Sequence, residues 1–152
     1  MRPSKTILTT LSILLFSNLV SADNELKVNS RILQEVREGS MQLKSLDEAI
    51  PESVVAYEHI LSNPTMTVAT DLVFTDIVPN HTTFVAGSAD CGECEILYSI
   101  DGEIFEKAFE LFTYDSGSLR LVRPEEYKEI RWIIKKINPN SKQKIIFKTR
   151  IN

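Results

Sequence analysis

From Leu26 to Ile151 the chain alternates apolar and polar residues with period two, and no stretch carries the 3.6-residue apolar stripe of a long amphipathic helix. That restricts the fold to sheets. Leu26, Val28, Ser30, Ile32, Gln34 and Val36 share one face of a first strand, with Lys27, Asn29, Arg31 and Glu35 opposite. The strand is favoured over a helix from Leu26 to Val36, which competes because these residues are not strongly β-branched. Glu38-Gly39-Ser40 supplies a turn before a second strand at Met41 to Leu46. Val55, Tyr57, His59 and Leu61 then define a face of the strand Val54 to Leu61, and Ser62-Asn63-Pro64-Thr65 ends it. Further strands are expected around Leu72 to Thr75, Thr83 to Ala86, Glu95 to Ser99, Leu119 to Val122, Ile130 to Ile134 and Lys144 to Ile151. Asp101-Gly102 and Ser116-Gly117 mark turns, and Asn138-Pro139-Asn140-Ser141 reads as the turn of a closing hairpin. Seven to nine short strands at this spacing predict an antiparallel β-sandwich, with the single Trp132 between Ile130 and Ile134 in its core.

The first 22 residues differ in kind. Arg2 and Lys5 precede an uncharged apolar run from Thr6 to Val20, and Val20-Ser21-Ala22 places small residues before Asp23. This pattern is that of a secretory signal peptide, too short for a membrane anchor. Residues 23–152 then suit one domain. Two cysteines in an exported chain are expected to be oxidised.

The segment Leu61 to Ala89, with Tyr57 before it, carries an ordered set of residues: Tyr57, Asn63, Asp76, Pro79, Thr83, Phe84, Val85, Gly87 and Ser88. Together with the later strands "ILYSIDGEIF" and "EEYKEIRWIIKKINPNSKQKIIFKTRI", they resemble the bacterial conserved repeat domain of unknown function numbered eleven. The resemblance spans Met41 to Ile151 and implies an immunoglobulin-like sandwich of surface and secreted proteins, with no catalytic residues assigned. The chain departs from the pattern in holding one copy, in lacking a glycine after Pro51, and in placing His59 where an aliphatic residue is usual.

Cys91-Gly92-Glu93-Cys94 has thioredoxin-like spacing, but redox catalysis needs a stabilised thiolate. Asp90, Glu93 and Glu95 crowd the sulfurs with negative charge, and the alternating segment that follows offers no helix N-terminus. A metal site would need two further ligands, for which the only histidines are His59 and His81. A disulfide pinning a loop between strands is the reading these electrostatics favour over a metal site or a thiol oxidoreductase. His59, on an apolar strand face, reads as a semi-buried histidine rather than a general base with Ser62 or a carboxylate. His81 sits in the loop tripeptide Asn80-His81-Thr82.

Charge is unevenly spread. The chain carries a formal −4, which becomes −6 without Arg2 and Lys5, and that argues against a general nucleic-acid binder. From Arg131 onward there are seven basic residues and no acidic one, whereas residues 23–130 hold all twenty-one acids. Lys142, Lys144, Lys148 and Arg150 fall on the outward face of the last strand. Lysines there commonly guard an edge strand against pairing; the functional alternative is docking to an anionic envelope polymer or to the acidic body of another copy. The leader predicts an exported protein, periplasmic or extracellular, and the resemblance implies a module of the bacterial envelope. Its expected role is structural or interactive rather than enzymatic, without cofactor, and with an envelope protein or anionic surface polymer as partner.

Overall fold

The computed structural model describes residues 26–37, 40–43 and 51–152 of the chain, with side chains from 26–34 and 51–152. The 1–22 leader, the Glu38-Gly39 turn and the 44–46 end of the second expected strand lie outside the described residues. The described residues are built almost wholly from β-strands and their connections. Among the described residues there are ten strands: β1 (Lys27–Arg37), β2 (Ser40–Leu43), β3 (Val54–Asn63), β4 (Ala69–Ile77), β5 (Thr82–Phe84), β6 (Glu95–Ser99), β7 (Phe112–Asp115), β8 (Ser118–Leu121), β9 (Glu129–Ile137) and β10 (Ser141–Ile151). One 3₁₀ turn, Pro124–Glu126, precedes β9. Seven to nine strands were expected; the addition is β7, whose apolar residues face the wrong way for a core strand.

The strands form a five-stranded sheet of order β2-β1-β3-β10-β5, a three-stranded sheet β4-β9-β6, and a separate β7–β8 hairpin, all antiparallel. The two larger sheets face each other. From the first come Val55, Tyr57, Leu61, Ile145 and Phe147; from the second come Ile130, Trp132 and Ile134, all buried. Phe147 stacks on Tyr57 at 4.8 Å between centroids and meets Trp132 at 6.0 Å across the gap. Each such side chain removed from water contributes about 1.5–3 kcal/mol, so the alternation read in the sequence is the main source of cohesion.

One connection departs from expectation. β9 and β10 are not a hairpin: β9 pairs with β4 and β6, while β10 pairs with β3 along its length. The 138–140 loop carries the chain from one sheet to the other. Asn63, 1 % exposed at the end of β3, holds this crossing. Its amide nitrogen donates to the carbonyls of Thr67, Ile137 and Asn138 at 2.8–3.2 Å, and its amide oxygen accepts from Thr65.

Candidate functional site

The β1–β3–β10 register fixes what lies on the outer face of the five-stranded sheet. Ser62 sits between Lys27 and Lys142, Ile60 between Asn29 and Lys144, and Glu58 between Arg31 and Ile146. Ala56 lies between Leu33 and Lys148, and Val54 opposite Arg150. Six cations, Lys27, Arg31, Lys142, Lys144, Lys148 and Arg150, thus share one face. At about 3.4 Å per residue, the four on β10 extend over roughly 27 Å.

Glu58 is the buried acid in their midst, 4 % exposed, and Asp90, bridged to Ile146, adds an exposed acid on the same face near Lys144. Arg31 forms an ion pair with Glu58 Oε1 and Lys144 reaches Glu58 Oε2 at 3.8 Å. A carboxylate removed from water this far needs partners of opposite charge, and those long side chains supply them from both neighbouring strands. Arg150 donates to the Glu52 carbonyl at 3.1 Å. The expectation that these cations have no local acid is therefore corrected at Lys144.

The expectation that β10 is an edge strand is corrected too. From Ile146 onward β10 is covered on its second side, by the Asp90 bridge and then by β5. Ser88 also accepts the Lys148 backbone N–H at 2.9 Å. Guarding an open edge accounts for neither Lys148 nor Arg150.

Cys91 and Cys94 are joined as a disulfide, with Cα atoms 6.0 Å apart. Asp90 accepts the backbone N–H groups of Cys91 and Gly92 at 2.7 and 3.0 Å. Those bonds, first that from Gly92 and then that from Cys91, hold its carboxyl below the usual carboxylate range. The turn's donors thus serve an aspartate, not a sulfur. Gln143 on β10 donates to the Cys91 carbonyl and ties the turn to the sheet. Beside it lies a groove of about 740 Å³, lined by Glu93, Cys94 and Glu95 on one wall and by Lys135, Lys136 and Lys142 among others. Lys142 belongs both to this groove and to the basic face. Among the described residues, no cluster of three or more His, Cys, Asp or Glu could hold a metal ion, and no helix is long and apolar enough to cross a membrane.

The inner face carries a constellation that sequence reasoning did not assemble. His59 Nδ1 lies 2.7 Å from the Ser30 hydroxyl, and His59 Nε2 lies 2.8 Å from Asp76 Oδ2. Ser30 comes from β1, opposite His59 in the register, while Asp76 comes from β4 of the other sheet. His59 is 6 % exposed, and its ring packs on Phe74 at 4.9 Å. Because an ionised carboxylate only accepts, a singly protonated ring places its proton on Nε2, leaving Nδ1 to accept from Ser30. This line clasps the two sheets together. The expected partner Ser62 is not among those of His59, since it points to the opposite face of β3. Only the period-two parity of Ser30, Asp76 and His59 was legible in advance; the inter-sheet contact depends on strand order.

Comparisons with protein-family models, curated proteins and solved structures find no match for this chain.

Proposed function

We propose that the chain is an exported, non-enzymatic, immunoglobulin-like module of the bacterial envelope that docks onto an anionic surface polymer through the outer face of its five-stranded sheet. The observation that carries this is the gathering of six cations from β1 and β10 on that face, around one buried acid. Support for the setting comes from the leader at residues 1–22, from the two facing sheets, and from the resemblance to the repeat domain.

The face suits a flexible polymer better than a compact ligand. Its cations are spread along a strand rather than converging on a point. Residues 23–130 carry twenty-one acidic side chains, so a polyanion is repelled elsewhere and steered to this side. Lys135 and Lys136 line the groove shared by Lys142, where Glu93 and Glu95 face them.

The test is retention of the mature protein on an immobilised teichoic-type or anionic-glycan polymer. Lys142, Lys148 and Arg150 are replaced together by Gln, with Lys144 kept so that Glu58 retains its partner. Retention should fall with salt, since exposed charges are screened over about 8–10 Å at physiological ionic strength. The triple variant should bind about tenfold more weakly or worse, each exposed pair being worth up to about 1 kcal/mol. Absence of parent retention at low salt, or equal retention by the variant, would sink the proposal; so would equal retention on duplex DNA.

The Ser30–His59–Asp76 line favours a second reading, an acyl-ester hydrolase. In it the Ser30 oxygen attacks the ester carbonyl, its proton passes to His59 Nδ1 and then to the departing alcohol, and water releases the acid. We place it second because Ser30 lies mid-strand and the imidazole is almost covered. Turnover of a p-nitrophenyl ester that disappears in both Ser30→Ala and Asp76→Asn would promote it.

A further inference from the structure

We propose that the outward face of the β7–β8 hairpin is a self-association surface, on which a second copy of the chain docks hairpin to hairpin about a two-fold axis. The register pairs Phe112 with Leu121 and Tyr114 with Leu119, so all four side chains lie on one face. That face is turned to solvent: Tyr114 is 75 % exposed, Leu119 59 %, Phe112 50 % and Leu121 45 %. The alternation is inverted relative to an ordinary surface hairpin. Leu111 and Val122, at its base, enter the core and are joined by a 2.9 Å backbone bond. Beyond them the body-facing positions are Thr113 and Arg120.

Arg120 fixes this orientation. Its guanidinium makes two bonds to Glu126, at 2.8 and 2.7 Å, and reaches Asp115 at 3.2 Å. The hairpin is therefore held against the body with its apolar side out. A two-stranded sheet cannot shelter such a side by itself.

The occupant follows from area and charge. With aromatic side chains of 150–250 Å² each, the four apolar residues leave on the order of 450 Å² open. Two copies would bury about twice that, the size of a weak, transient interface. Two such faces are flat and self-complementary, and they can pack as sheets do, about 10 Å apart. A lipid surface fits less well, because Arg120, the one cation of the hairpin, is turned to the body and tied to Glu126, so the patch offers an anionic leaflet no basic residue.

Sedimentation of the mature protein across a concentration series tests this. A monomer–dimer equilibrium is expected, with a dissociation constant on the order of 10–100 μM, little changed by salt. Tyr114→Lys and Leu119→Lys, both at exposed positions, should each weaken it tenfold or more with an unaltered circular dichroism spectrum. Val73→Lys, an equally exposed apolar site on β4 (61 %), should leave it intact. A strictly monomeric parent, a dimer indifferent to both hairpin variants, or a Tyr114-dependent partition into zwitterionic vesicles by a monomer would each overturn the proposal.

Discussion

Along β10 the residues turned inward are Ile145, Phe147 and Thr149, while Lys144, Lys148 and Arg150 face out. Along β7 and β8 the order is reversed, with Thr113 and Arg120 toward the body and Phe112, Tyr114, Leu119 and Leu121 toward solvent. Both segments alternate equally well. What differs is the surface each finds opposite. β10 faces Trp132 on the other sheet, so burying its apolar side releases water and sets the orientation. The hairpin faces Glu126 at the end of a 3₁₀ turn, and a forked ion pair there turns its polar side inward instead. Period two identifies the two faces of a strand; the partner decides which one is inside.

The contrast is sharpest at Glu58, because it places a buried charge on the supposedly solvated face of the larger sheet. Its two partners are about half exposed and Glu58 is not. Removing the cations should therefore cost far more than removing the acid. Arg31→Met combined with Lys144→Met leaves an unpaired buried carboxylate and should destabilise the protein by about 3 kcal/mol, at the low end for breaking a buried pair from one side. Glu58→Gln leaves cations that water can solvate and should cost less than about 1 kcal/mol. Urea unfolding of the disulfide-intact protein measures both. Equal losses would mean that the outer face is solvated throughout and that the two regions differ less than the geometry indicates.

How much of this was legible in the sequence depends on whether a feature is local. The faces of β1, β3 and β10 were readable because each depends only on neighbours two residues apart, and Glu95–Ser99 was bounded as found. β7 was missed although the Ser116-Gly117 turn beside it was read. Both turn residues adopt positive φ, 50° and 85°, as a two-residue hairpin loop requires. The Phe-Thr-Tyr-Asp strand before them lacked an inward apolar partner to announce it. The β9–β10 link was misread for a different reason. Asn138-Pro139-Asn140 breaks a strand equally well whether the chain returns to its own sheet or crosses to the other. The crossing is decided by Asn63, 74 residues away from Ile137. For the basic face, the four cations of β10 followed from alternation, but Lys27, Arg31 and Glu58 joined them only through the strand order β1-β3-β10. The His59 clasp required the packing of one sheet on the other as well.

The smallest effect expected concerns the strap that inverts the hairpin, and acid should release it selectively. Glu126 is held at about 2, first by the Arg120 guanidinium and then by the Arg123 backbone N–H, against an ordinary value of 4.5. A carboxyl whose pKa is lower in the folded state stabilises that state fully above its unfolded value and loses the contribution as pH falls through the folded one. The strap is therefore complete above pH 4.5, weakens below it, and is gone once pH passes below about 2. Hydrogen-exchange protection factors of the β7–β8 ladder should decline across that window, while those of the β3–β10 ladder, whose register does not involve Glu126, should hold to lower pH. In Glu126→Gln the hairpin should already be less protected at neutral pH and should lose less between pH 4.5 and 2 than the parent, with only the Asp115 bond to Arg120 left to release. The effect is local, because Arg120 and Glu126 are both partly open to solvent and their pairing is screened. If both ladders instead lost protection together in the parent protein, the hairpin would not be an independently oriented element, and its outward apolar face would have to be attributed to the Leu111 and Val122 anchors alone.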